Sequence, residues 1–149
     1  SFFSTIISDH DIISENLKIL FITTWFSKNM HDELSAKCEQ LLKEPEIRFA
    51  GFLDMMGNLV VGSFRDNVKP LKNEDERKKM FIEAVLRIRT RQDFDDNLGP
   101  VSYAAARRKK VVTFTFSLDN MVLFVSAEPD VDIDKTARKI MNICSIESP

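Results

Sequence analysis

EIRFAGFLDMMGNLVVGSF, residues 46–64, is the stretch that decides how this chain is read. Ile47 and Phe49 on one side, and Leu59, Val61 and Ser63 on the other, alternate with their neighbours. That period of two places successive side chains on opposite faces of a strand. Between the two halves Asp54, Met55, Met56 and Gly57 supply a turn, where Gly57 takes the positive φ that other residues avoid. The stretch is therefore a β-hairpin. Gly51 and Gly62 fall inside its strands, where a glycine weakens pairing unless a second backbone or a bulky ring lies close over it.

Moving outward, the period changes. Upstream, Leu34, Cys38, Leu41 and Leu42 form one apolar stripe at helical spacing, so a helix is expected from a cap near Asn29 or Asp32 until Pro45 stops it. Residues 1–28 are rich in Phe, Ile, Ser and Thr and are compatible with two readings. Ile13, Leu17, Leu20 and Phe21 have helical spacing, whereas KILFITTWF at 18–26 also reads as a strand. Downstream of Pro70, Asn73 followed by Glu74, Asp75 and Glu76 starts a second helix, with Phe81, Ala84, Val85 and Ile88 on one face and an end near Phe94 to Gly99. Three strands follow at 101–106, 111–118 and 121–128, joined by Arg107-Arg108-Lys109-Lys110 and by Asp119-Asn120. A last helix, from Asp130 or Asp132, carries Ile133, Ala137, Ile140, Met141 and Cys144. The expected fold is α/β, or α+β: a five-stranded antiparallel meander with flanking helices in the order α-ββ-α-βββ-α.

Composition narrows the function classes. At 149 residues one core is the default. Twelve Phe against one Trp and one Tyr mark a phenylalanine-built interior. A net charge of −2 gives no overall pull toward nucleic acid or an anionic membrane, so nucleic acid is disfavoured as a partner. The apolar run Ile19 to Phe26 is far short of the ~20 residues that span a bilayer. Asp9, Asp11 and Glu15 do not suit a secretory signal, and a cytoplasmic setting without membrane is expected. Cys38 and Cys144 read as reduced core thiols, and with His10 and His31 as the only histidines no metal site is expected.

No cofactor is expected either. GxGxxG and GxxxxGK[ST] loops are absent, and Ser102, Ser117 and Ser126 are strand serines outside any GxSxG elbow. Asp130, Asp132 and Asp134 lack the central Gly and distal Glu of a calcium loop and read as helix-capping acids. No catalytic residue is assigned, and the chain is read as non-enzymatic. The strongest local feature is positive charge: Arg87 and Arg91 near the end of the second helix, with Arg107, Arg108, Lys109 and Lys110 in the strand connection. Converging, they would form a patch for an anion or a partner. Asp93, Asp95 and Asp96 stand beside the arginines, and a solvated or ion-paired face is the simpler reading. Met55, Met56 and Gly57 at the hairpin tip are a second candidate contact, through two thioethers.

The element order and the hairpin around Asp54 to Gly57 resemble the roadblock/LC7 family of the profilin-like and longin-like group. At closer range EIRFAGFLDMMGNLVVGSF, FDDNLGPVSYAAARR (94–108) and LFVSAEPDVDID (123–134) are similar to an uncharacterised family of ammonia-oxidising archaea. The second resemblance implies a domain beginning near Met30, with residues 1–29 an N-terminal extension and 30–149 the roadblock-like unit. The first implies a regulatory module that pairs, edge strand to edge strand or helix to helix, into a homodimer and serves as a platform for a protein partner such as a small GTPase. An open sheet fits that expectation, because its edges must be covered, charged or paired. The competing expectation is a sensor that holds a nucleotide or other anion against the Arg/Lys patch.

Overall fold

The structure, a computed structural model, describes residues 2–147, with side chains from Asp11 onward; Ser1 and residues 148–149, the ends of the two expected spans, lie outside it. Its elements are α1 (Phe2–Leu42), β1 (Ile47–Asp54), β2 (Leu59–Phe64), α2 (Glu74–Gln92), α3 (Asp95–Leu98), β3 (Ala104–Arg107), β4 (Val112–Ser117), β5 (Met121–Ala127) and α4 (Ile133–Cys144). The chain divides into two compact units, one reaching Glu33 and one from Leu34 onward.

The first unit is helix alone. α1 is continuous from Phe2, so no helix starts at Asn29 or Asp32, and the strand reading of 18–26 is not adopted. Within α1, Thr23 and Thr24 donate their hydroxyls to the carbonyls of Ile19 and Leu20, at 2.8 and 2.9 Å. This satisfies the hydroxyls within the helix itself.

The second unit is one antiparallel sheet in the order β2-β1-β5-β4-β3 with helices on both faces. It is not the strict meander expected from the strand sequence. β1 joins β5, and α2 carries the chain from one edge strand to the other. The physical reason lies in the composition of β1 and β5, IRFAGFLD and MVLFVSA, which are buried on both faces and so belong at the centre. On one face Leu34, Cys38 and Leu41 of α1 and Ala137, Ile140 and Cys144 of α4 pack on Ile47, Phe52, Phe114, Phe116, Leu123 and Val125. On the other, Phe81, Ala84, Val85 and Ile88 of α2 meet Phe49, Leu53, Val122 and Phe124, with Phe81 and Phe124 edge to face at 5.4 Å.

The caps of α2 and α4 are at Asn73, as expected, and at Asp132, the second of the two residues offered. Asn73 accepts from the Glu76 amide and Asp132 from the Lys135 amide, both at 2.9 Å. α4 ends on Ser145 in the left-handed region, with the Ile146 amide on the Met141 carbonyl at 2.8 Å. α3 is a short turn of helix that the spacing does not reveal. In the β1–β2 turn the Asp54 carboxylate accepts from the amides of Met56 and Asn58, each at 2.9 Å, which holds its pKa below the ordinary 3.8. Gly57 has φ +84° and lies against α2: a Cβ there would stand 2.9 Å from the Ile82 Cα and 3.0 Å from its nitrogen. Gly62 faces Gly51 across the hairpin, where a Cβ would approach the Gly51 Cα to 2.5 Å. Two backbones therefore meet there without side chains between them.

Candidate functional site

β4 reads VTFTFS, and its two faces have different fates. Val112, Phe114 and Phe116 enter the core under α4, while Thr113 and Thr115 point to the face that carries α2. α2 packs on β1 and β5, and the cluster beneath it holds no residue of β4 or β3. The hydroxyl face of β4 and the paired Ala104 and Ala106 of β3 are thus left as the floor of an open groove of about 480 Å³ beside the helix.

Charge is concentrated on this groove. Arg48, Lys72, Arg77, Arg87, Arg91, Arg108, Lys109 and Lys110 line it, against Glu76 and Glu83. Eight cations to two anions is a local excess of six in a chain whose net charge is −2. Several of the eight are engaged. Arg48 pairs with Glu128 at 3.3 Å, Arg87 pairs with Glu83, and Arg77 lies 5.5 Å from the centre of the Phe64 ring while donating to the Lys72 carbonyl at 2.7 Å. Among the described residues none of Arg91, Arg108, Lys109 and Lys110 is in an ion pair. Asp93, Asp95 and Asp96 form no ion pair with them among the described residues, although Asp95 shares a neighbouring cavity with Arg91. Asp93 is the α2 C-cap, and Asp95 and Asp96 form the first turn of α3.

The residues singled out from the sequence are therefore partly brought together. Arg87 and Arg91, four apart on α2, share the groove wall, and Arg108 to Lys110 form its mouth. Lys109 and Lys110 are the two-residue turn closed by the Arg108 amide on the Val111 carbonyl at 2.8 Å. Arg107 goes elsewhere. It pairs with Val112 on the opposite face, where its guanidinium donates to the carbonyls of Pro129 and Val131. Tyr103 ties the same face to α4 by donating to Asp134 at 2.7 Å. The alternation of a strand separates Arg107 from Arg108, a signal present in the sequence that grouping the four cations passes over. The lining residues that the sequence reading omitted, Thr113, Thr115, Ala104 and Ala106, are unremarkable as residue types and become visible only through the sheet register.

At the hairpin tip the candidates separate as well. Met56 is exposed, but Met55 packs against the α2 cluster and Gly57 is buried under Ile82. One thioether, not two, faces outward. The cysteines are far from a nucleophile's environment: burial pushes the Cys38 thiol up to about 12 and the Cys144 thiol to about 11, away from the thiolate. Among the described residues no group of three or more His, Cys, Asp or Glu is placed to hold a metal ion, and no helix is long and apolar enough to cross a membrane.

No curated protein matches the chain. Solved structures do. The roadblock/LC7 domain from Streptomyces avermitilis superposes with a TM-score of 0.59 at 14% identity, over 75% of this chain and 92% of that one. MglB of Myxococcus xanthus gives 0.59 at 13%, over 77% and 84%, and an MglB with tetrameric arrangement gives 0.58 at 10%, over 77% and 90%. At these identities the likeness is one of fold, and the fold is roadblock/LC7-like. The model of a family described as a family of unknown function (DUF6659) matches residues 27–147, and the chain belongs to that family.

Proposed function

We infer that this protein is a non-enzymatic interaction and regulatory module, in which residues 30–149 form the domain and residues 1–29 an extension. It self-associates through the β3 edge and offers the assembly to a protein partner in the cytoplasm. One observation carries this reading. Among the described residues β3 pairs with β4 alone, which leaves its outer edge open, and the segment leading into it exposes Phe94, Leu98 and Val101, Leu98 at 80%. An unpaired edge flanked by exposed apolar side chains is a template for a second chain. The shared fold supports the reading, as does the tetrameric arrangement described for one MglB. A small GTPase as partner rests on the roadblock/LC7 resemblance.

Light scattering on the eluting protein tests it. The parent chain is expected at twice the mass of a monomer, and Leu98→Glu with Val101→Glu is expected to shift it to one monomer without lowering the melting temperature. A parent protein that stays monomeric at every concentration, or a charged variant that stays dimeric, refutes the β3 edge as the contact.

A further inference from the structure

The groove beside α2 is a different surface from the open β3 edge, and its chemistry is divided along its length. One end is cationic, with Arg91 and Arg108 in no ion pair among the described residues, above a floor of Thr113 and Thr115. The other end mixes apolar surface with charge: Leu71 is 54% exposed, the half-buried Phe64 and Met80 pack on the cluster that holds Phe49 and Phe124, and the Arg77 guanidinium lies 5.5 Å over the Phe64 ring. Its volume, about 480 Å³, is in the range of small-molecule sites. Ala104 and Ala106 keep it open, since any larger side chain at those two positions would fill the floor.

We propose that this groove binds a small organic polyanion of the nucleoside-phosphate class, its phosphates against Arg91, Arg108 and the Thr113 and Thr115 hydroxyls and its ring at the Phe64 and Met80 end. Guanidinium groups from two separate elements meet phosphate oxygens by paired N–H donors, and the Thr113 hydroxyl supplies a further donor beneath, while that of Thr115 donates to the Ala104 carbonyl at 3.5 Å and would have to turn from it. The Arg77 guanidinium over Phe64 gives the ring a flat, polarisable neighbour. Charge complementarity selects the anion, and the ring and thioether surface of Phe64 and Met80 favours an organic group over inorganic phosphate.

Calorimetric titration of the full chain with ATP and, separately, with inorganic tripolyphosphate tests the proposal at low and at moderate salt. ATP is expected to bind, tripolyphosphate to bind at least tenfold more weakly, and both to weaken as salt rises. Arg91→Ala with Arg108→Ala is expected to weaken ATP by roughly tenfold or more, the scale of lost charge-assisted contacts. Ala106→Leu is expected to block it, and Lys43→Ala, an exposed cation outside the groove, to leave it unchanged. Absence of ATP binding at low salt, equal loss in Lys43→Ala, equal affinity for tripolyphosphate, or survival of binding in the double Arg variant overturns it. So does tighter displacement by a poly-glutamate peptide or duplex DNA, which would make the groove a macromolecular contact. The double Arg variant does not alter Leu98 or Val101, so light scattering on it separates failure here from failure of self-association.

Discussion

Replacing Gly57 by alanine strikes two features of the hairpin tip that can be separated experimentally. The first is conformational: φ is +84°, and an L residue in the left-handed region costs about 1–2 kcal/mol. The second is steric. The new Cβ would stand 2.9 Å from the Cα of Ile82 and 3.0 Å from its nitrogen, both backbone atoms of α2. They move only with the helix, which is packed through Phe81, Val85 and Ile88 on the central strands, and overpacking of this kind costs about 1–3 kcal/mol. Together the loss is about 3 kcal/mol, a fall in melting temperature of about 10 °C for a unit of this size. Gly57→Asn divides the two terms, because asparagine tolerates the left-handed region but still carries a Cβ. Urea unfolding of both variants is the assay. Gly57→Asn is expected to remain destabilised by more than ~1 kcal/mol, since the steric term persists. An Asn variant as stable as the parent would remove the contact with Ile82 from the reasoning, and an alanine variant as stable as the parent would remove the turn conformation as well.

Phe114→Ala, at a fully buried position of β4, is expected to cost about 3–5 kcal/mol in the same unfolding experiment, and a loss under ~1 kcal/mol would contradict its place in the core. The two thiols, pushed up to about 12 and about 11 by burial, are expected to resist a thiol reagent at pH 8 until denaturant is added, and rapid labelling of the native protein would show that one is accessible. The Asp54 carboxylate is held below 3.8 by the Asn58 amide, so its contribution to stability is present above that pH and lost as pH falls through the lower folded value. The stability gap between the parent and Asp54→Ala is therefore expected to close on acidification below about 3.8, and a gap that widens instead would reverse the sign of the coupling.

Much of the second unit was written in local sequence. The hairpin about Asp54 to Gly57, the cap at Asn73, the second of the two caps offered at Asp130 and Asp132, and the stripe Phe81, Ala84, Val85 and Ile88 all act within a few residues and lie where the sequence placed them. β1, however, is buried on both faces and so does not show the alternation read for it. The N-terminal helix was legible less well, because apolar residues lie all round it and no period prevails, so strand and helix patterns competed until the chain was seen to continue one ladder from Phe2 into Leu42.

Pairing order and the groove belong to the tertiary structure. Nothing in the succession of strands says that β1 must lie against β5; that follows from burying the two most apolar strands on both faces while α2 spans the distance between the edges. The same crossing leaves β4 and β3 uncovered on one side, and only then do Arg87 and Arg91 stand across from Arg108 while Arg107 turns to the opposite face. Periodicity reports which side of its own element a residue occupies, but the side of the molecule to which that element presents it is fixed by packing between segments far apart in the chain.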